Sequence, residues 1–483
     1  MFLLAAATAA AGHGEPTIVW EKIGNSVVVA TELDGDAISA IESRMRVWIT
    51  EDLEIEACSL AVAEVLRNFE ERGQGESCSA ELVRASSDTH IACHRCAEFL
   101  ALAYGAAGSL VSRTSELSAF AFTLARCGDG EGLRLSFRID GTLPVEPVLT
   151  TAYAARREWS QRQGFSSVHA VNSLISSGQS KRLIQLSEAL HDSQFCSLAA
   201  QIVSSGTQRL VLIAGPSSSG KTTFAKRLSV ALETLGASPV VISVDSYYKS
   251  WAEIDSRGMQ YVDWESLQSL NLSLLNVQLL DLLAGKEIRV PEYDMKTSCP
   301  MSEDHWVPMK LPPGGVVIME GIHCLNAALT PRVPRAEKFQ ICISPLSAVR
   351  VDNLHLVSST HVRMLRRMVR DFLFRGRSAL STLRQWPGVA AGEITNIYPN
   401  QNNADATFNS AMPYEVHVLK IYAEPLLRTI TPDLQEYEEA RRLLAMLSVH
   451  APLPTTLVPP QSLLREFTGG SWFYEYSGQF QMA

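Results

Sequence analysis

An unbroken apolar run, Leu210-Val211-Leu212-Ile213-Ala214, leads directly into Gly215-Pro216-Ser217-Ser218-Ser219-Gly220-Lys221-Thr222. Such a run reads as a buried parallel strand. The residues that follow, Thr223 to Leu235, carry Phe224, Leu228, Val230 and Leu232 at helical spacing. Strand, glycine loop and helix in this order constrain the fold strongly. The loop fills the G-x-x-x-x-G-K-[ST] pattern, whose backbone N–H groups wrap phosphate oxygens at the positive end of a helix. In that pattern Lys221 reaches the β- and γ-phosphates and the Thr222 hydroxyl ligates Mg²⁺. The expected cofactor-binding set is therefore Gly215, Pro216, Ser217, Ser218, Ser219, Gly220, Lys221, Thr222 and the adjoining Thr223, with ATP and Mg²⁺ as the implied cofactors.

Around this unit the chain alternates strand and helix. Val240–Val244, Val316–Met319 and Phe339–Ile343 are further strand candidates. The expected fold class is α/β, a P-loop NTPase-type parallel sheet flanked by helices and preceded by a smaller α+β domain. The expected boundaries are 1–155 for the α+β region, 156–207 for a helical connector, 208–428 for the phosphate-loop domain and 429–483 for a C-terminal helical extension. A length of 483 residues accommodates two to four domains.

Ligands of open α/β sheets collect at the C-terminal ends of the strands, so acids there matter. Asp245 follows the second strand, where a carboxylate can face a γ-phosphate and accept the proton of an attacking hydroxyl. Glu320 ends the strand Val316–Met319, the place of a carboxylate that holds Mg²⁺ or its waters. Asp245 also suits a helix N-cap, and acids at strand ends such as Glu320 are common. Farther on, RMLRRMVRDFLFRGR packs Arg363, Arg366, Arg367, Arg370, Arg375 and Arg377 into fifteen residues with a single acid, Asp371. Guanidinium groups suit phosphate recognition and charge stabilisation during transfer. A lid delivering them over a nucleotide is the sharper expectation, and a solvated basic face the blander one.

Bulk properties exclude some classes. A net charge of −9 argues against a dedicated nucleic-acid binder. Nine scattered cysteines fit reduced thiols better than a disulfide framework. His90, Cys93, His94 and Cys96 could supply zinc ligands, with His90 and His94 sharing a helix face, but the absence of a second Cys/His pair at finger spacing favours ordinary packing or free thiols. The opening MFLLAAATAAAG has no basic residue before Lys22, so it lacks the form of a signal peptide, and no stretch reaches the ~20 apolar residues of a spanning helix. A cytoplasmic protein is expected.

The pieces GPSSSGKTT, VDSYYK, YVDWESL, VPEYDMKT, MEGIH and RRMVRDFLFRGR, in this order, resemble the uridine kinase / phosphoribulokinase family of P-loop kinases over about residues 208–425. SEALHD, EGIHCLN, ADATFNSAMPYE and LLREFTGGS extend the likeness to a longer subgroup. That subgroup carries an N-terminal region similar to the tRNA-binding or editing part of threonyl-tRNA synthetases. The resemblance implies an ATP-dependent phosphotransferase, with a nucleoside 5′-hydroxyl, of uridine or cytidine first, as acceptor. It implies Lys221, Asp245 and Arg370 as catalytic, with Asp245 the base. Arg375 and Arg377 fall to the nucleotide, and Asp263, Tyr293 and Arg367 to the substrate. The pyrimidine-reading His and Arg that follow the VPxYD piece are replaced by Met295-Lys296-Thr297-Ser298-Cys299-Pro300. In the N-terminal region His90-x-x-x-His94 matches one pair of the editing motif, and residues 95–207 lack the second, so editing chemistry is not expected. An ATP-binding regulator without nucleoside kinase activity, or a kinase for another metabolite, stands as the alternative. RNA binding by the N-terminal region and homo-oligomerisation are left open.

Overall fold

A computed structural model describes residues 6–8, 22–23, 26–29, 35–86, 88–103, 113–114, 121–126, 133–138, 148–254, 264–295, 297–352 and 355–474. The chain forms two compact units. One comprises Met1–Gln179, Leu346–His361 and Leu427–Leu453; the other comprises Ser180–Pro345, Val362–Leu426 and Pro454–Ala483.

The first unit is α+β. Lys22–Ile23, Ser26–Val29, Leu133–Arg138 and Ala121–Arg126 pair in that order as an antiparallel sheet. Glu56–Ala61, His90–Cys96 and Phe99–Leu102 form a second antiparallel sheet. Val65, Phe69, Val83, Cys93 and Leu100 make its core with the helices Val62–Glu71 and Cys78–Ala85. The segment containing His90 and His94 is thus a strand, not a helix. The two histidines still fall on one pleat face, because residues i and i+4 do so in a strand. His90 is exposed and His94 buried. Among the described residues no group of three or more His, Cys, Asp or Glu side chains is arranged to hold a metal ion.

The second unit is built on five parallel strands: β1 (Leu210–Ala214), β2 (Pro239–Ser243), β3 (Val316–Glu320), β4 (Lys338–Ser344) and β5 (Ala406–Asn409), in the order β5-β4-β1-β3-β2. β1 lies at the centre with every residue at most 1% exposed, which is why it carries no polar alternation. Burying each Val, Leu or Ile there contributes about 1.5–3 kcal/mol. Helices α1 (Ser180–Ser205) and α2 (Lys221–Thr234) cover the sheet. Phe195 of α1, Phe224 of α2 and Phe408 of β5 meet in tilted ring pairs 4.6–5.1 Å apart. A buried ion pair, Arg227 to Glu188 at 3.6 Å, joins the same helices, and the Tyr414 hydroxyl donates to Glu188 at 2.6 Å. Farther along come α3 (Leu272–Leu283), α4 (Ser359–Arg375), α5 (Ala379–Gly392), α6 (Glu415–Leu427) and the short α7 (Arg465–Thr468). Among the described residues no helix is long and apolar enough to cross a membrane.

Candidate active site

The phosphate loop springs from the end of the central strand. Gly215 is required by close approach: a Cβ there would stand 2.0 Å from the Ile343 carbonyl oxygen of β4. Ser218 (φ +60°) and Gly220 (φ +92°) are left-handed, and Gly220 is the N-cap of α2. These two reversals fold the loop back over the helix start. Lys221 Nζ donates to the Gly215 and Pro216 carbonyls at 3.0 and 3.2 Å, so its charge is held over the loop. The Ser218 and Ser219 hydroxyls are buried and make no hydrogen bond within the protein.

Glu320 ends β3 level with Ser243 of β2. It is 2% exposed, and its Oε1 accepts from the Ser243 hydroxyl at 2.7 Å and the Thr222 hydroxyl at 3.1 Å. Burial, with the Asp245 charge adding, pushes its carboxyl up to about 7, while Lys221 opposes the rise. Asp245 lies two residues past β2, in a 3₁₀ turn Val244–Tyr247, rather than on the strand.

The arginines of α4 divide into two sets. Arg363 and Arg366 are 3% and 1% exposed and brace the loop. Arg363 Nε donates to Ser217 O at 2.9 Å and its guanidinium pairs with buried Glu393. Arg366 pairs with buried Glu415 at 2.6 Å and donates to the Ser218 and Ser219 carbonyls at 3.4 Å and to Ser410 O at 2.9 Å. Loop carbonyls engaged by guanidinium groups do not repel an incoming anion. Arg367, Arg370, Arg375 and Arg377 instead line the cavity. Arg367, Arg370 and Arg375 converge on one buried carboxylate, Asp371, at 3.5, 3.0 and 3.4 Å. Burial alone would raise the Asp371 carboxyl; the Arg370, Arg375 and Arg367 charges outweigh it and hold it low. Repulsion from Arg370, then burial, brings Arg375 down to about 10. Three guanidiniums on one carboxylate leave an excess positive charge for a polyanion.

Lys221, Thr222, Asp245, Glu320, Arg367, Arg370, Arg375 and Arg377 line one cavity of about 960 Å³. The profile of the Phosphoribulokinase / Uridine kinase family matches residues 210–416. A uridine kinase of Deinococcus deserti is 30% identical over 40% of this chain and 83% of its own length. The chain belongs to the phosphoribulokinase / uridine kinase family. Uridine kinases of Ureaplasma parvum (27% identical, 41% of this chain, 86% of theirs) and Brevibacillus brevis (29%, 41% and 84%) are similar over the same share.

Membership makes the protein a kinase of this family and implies use of a nucleotide. The site fits one: the left-handed loop, the two unbonded hydroxyls of Ser218 and Ser219 and the arginine excess all suit phosphate oxygens. Thr222 and Glu320, with oxygen donors only, suit a hard divalent cation. Aromatic and acidic residues also line this kinase's cavity. Tyr248 lies 5.9 Å from Trp264 and 5.7 Å from Tyr293, ring centre to ring centre. Glu265 lines the same cavity; burial, opposed by Arg367, pushes its carboxyl up to about 7. Arg377 donates to the Met295 carbonyl at 3.4 Å, which ties the arginine segment to the strand carrying Tyr293.

Lys221, Thr222, Asp245, Glu320, Tyr293 and the four arginines thus share one cavity, whereas Asp263 falls outside the described residues. Sequence reasoning missed Tyr248 and Glu265, although both sit inside pieces already singled out, VDSYYK and YVDWESL. It also missed Glu466 and Tyr474, which line the cavity from the C-terminal segment and carry no spacing signal.

Proposed function

We propose that this kinase transfers the γ-phosphoryl group of ATP to the hydroxyl of a small molecule, a nucleoside 5′-hydroxyl being the first acceptor to test. The observation that carries the reading is one cavity that gathers Lys221 and four arginines with the rings of Tyr248, Trp264 and Tyr293 and the carboxylate of Asp245 just past β2. Asp245 accepts the hydroxyl proton as the new O–P bond forms and the bond to the leaving oxygen breaks. Lys221, the loop amides, Arg370, Arg375 and Arg377 hold the polyphosphate and the charge that develops on its oxygens, which is where most of the rate in phosphoryl transfer originates. Mg²⁺, held by Thr222 and Glu320, supplies charge neutralisation across the phosphate oxygens when bound. Tyr248, Trp264 and Tyr293 offer ring faces to a flat base, and Glu265, Arg367 and Asp263 offer polar contacts to its sugar.

The Met295–Pro300 segment lacks the base-reading His and Arg, so the acceptor panel extends beyond pyrimidine nucleosides. The reading gives residues 1–155 no catalytic part; they form an accessory module akin to that of threonyl-tRNA synthetases, in a cytoplasmic protein. The test is phosphate transfer from labelled ATP to a panel of nucleosides, with Lys221→Ala as control. A product that disappears in the variant supports the reading and names the acceptor class. Tight Mg·ATP binding without product from any nucleoside moves it to another hydroxyl or to an ATP-binding regulator.

A further inference from the structure

The family profile ends at residue 416, yet two cavity-lining side chains, Glu466 and Tyr474, come from beyond it. The segment that carries them is firmly seated. Arg465 donates to the carbonyls of Thr455, Val458 and Gly469 at 2.6–3.2 Å, and buried Phe467 lies 5.1 Å from the Arg366 guanidinium. Left-handed Gly469 and Gly470 (φ +84° and +71°) then turn the chain after α7.

The segment holds the first turn of α2. Glu466 Oε2 accepts from the Thr223 amide at 3.2 Å and from its hydroxyl at 2.8 Å. Because that hydroxyl gives its proton to the carboxylate, the Tyr474 hydroxyl donates to Thr223 Oγ1, at 3.2 Å. One turn on, Lys226 Nζ donates to the Phe473 carbonyl at 2.6 Å and stands 4.2 Å from the Tyr474 ring centre. The first amides of a helix have no partner within it, and an N-cap side chain normally supplies one. The N-cap of α2 is Gly220, which has no side chain and makes no such bond. Glu466 supplies the missing acceptor from 243 residues away.

We propose that Glu466 is a positioning residue for the phosphoryl donor. It acts as a remote cap that fixes the helical turn carrying Lys221 and Thr222, with Tyr474 completing the clamp through Thr223. Donor affinity then depends on a segment outside the family domain, and the acceptor end does not. The inference rests on the phosphotransferase reading above.

The test uses the full chain and the non-hydrolysable analogue AMP-PNP with Mg²⁺, measured by calorimetric titration. Glu466→Ala is expected to weaken AMP-PNP about tenfold, the scale of a lost helix cap, and to raise KM for ATP by the same factor with KM for the acceptor unchanged. Glu466→Gln, whose amide oxygen still accepts both bonds, is expected within about twofold of wild type. Glu466→Asp keeps the charge but withdraws the oxygen by one methylene. It should weaken binding several-fold, and serves if the alanine variant does not fold. Wild-type affinity in Glu466→Ala or Glu466→Asp overturns the inference. So does an equal loss of donor and acceptor affinity with a lowered melting temperature, which would make Glu466 a general structural residue. Absence of AMP-PNP binding by the wild type would overturn the phosphotransferase reading itself, and this inference with it.

Discussion

Arg366→Met tests the division of the arginines on α4. Arg366 and Glu415 are 1% and 2% exposed in their side chains and pair at 2.6 Å. Removing the cation leaves a buried carboxylate without its countercharge, a loss on the order of 3–5 kcal/mol. With a denaturant slope of about 3 kcal/mol/M, that shifts the urea midpoint of the second unit down by about 1–1.7 M. Arg366→Met combined with Glu415→Gln removes the stranded charge. Its glutamine oxygen can still accept from the Met412 amide, which Glu415 now holds at 3.0 Å. The Ser410 carbonyl and the more distant Ser218 and Ser219 carbonyls still lose a donor, worth about 1–2 kcal/mol together, so the double variant should sit only about 0.3–0.7 M below wild type. Arg377→Met, at the cavity and half-buried, should move the midpoint by less than about 0.3 M while cutting turnover about a hundredfold. Urea titrations followed by circular dichroism and by AMP-PNP binding decide the matter. An Arg366→Met midpoint within about 0.3 M of wild type, or a double variant as unstable as the single one, refutes the assignment of Arg366 to bracing.

Gly215→Ala places a methyl against the Ile343 carbonyl oxygen at 2.0 Å. It should cost about 3 kcal/mol or displace the loop, seen as a lowered melting temperature together with lost AMP-PNP binding. Lys221→Ala should lower kcat about a thousandfold and Asp245→Asn about a hundredfold, because positioning and charge outweigh base strength in a loose transition state; equal losses would count against that mechanism. Glu265 has its carboxyl raised from 4.5 to about 7, chiefly by burial. The folded protein therefore binds more protons than the unfolded one between those values, and stability falls as pH rises through the window. Glu265→Gln removes the effect. Its melting temperature relative to wild type should climb from pH 4.5 to 7 and level off above; a pH-independent difference would contradict the burial argument.

The strands were legible because a strand buried on both faces needs no polar alternation, and Leu210–Ala214 shows none. Asp245 and Glu320 were legible as acids at or just past strand ends, where α/β topology gathers ligands. Helical spacing could not divide the arginines. Arg363, Arg367 and Arg370 recur a turn apart, but Arg363 goes to Glu393 and Ser217 while the other two reach the cavity. The deciding partners, Glu393 and Glu415, lie farther along the chain and look like ordinary helix acids. The His90–His94 spacing misled for a related reason. An i, i+4 pair shares a face in a helix and in a strand alike, and pairing with Glu56–Ala61 and Phe99–Leu102 decided for the strand. Glu466 was invisible because its role arises from a glycine N-cap hundreds of residues earlier.

Charge shows the same limit of composition, since −9 for the whole chain describes the wrong scale. Among the described residues, Lys221, Arg367, Arg370, Arg375, Arg377 and Arg384 line the cavity, against Asp245, Glu265, Glu320 and Glu466. Burial pushes the carboxyls of two of those acids, Glu265 and Glu320, up, which favours their neutral forms. The local balance is positive inside an acidic protein. It is also sorted: five of the six cations sit on α4, α5 or the turn between them, and three of the acids at or beyond the ends of β2 and β3 or in the 264–266 turn. On the proposed reading, a polyphosphate would neutralise the first group and leave the second to hold a cation and a hydroxyl proton. Adding acids elsewhere on the surface would change the net charge and leave that sorting intact, because at about 0.15 M salt charges beyond about 8 Å through solvent are largely screened.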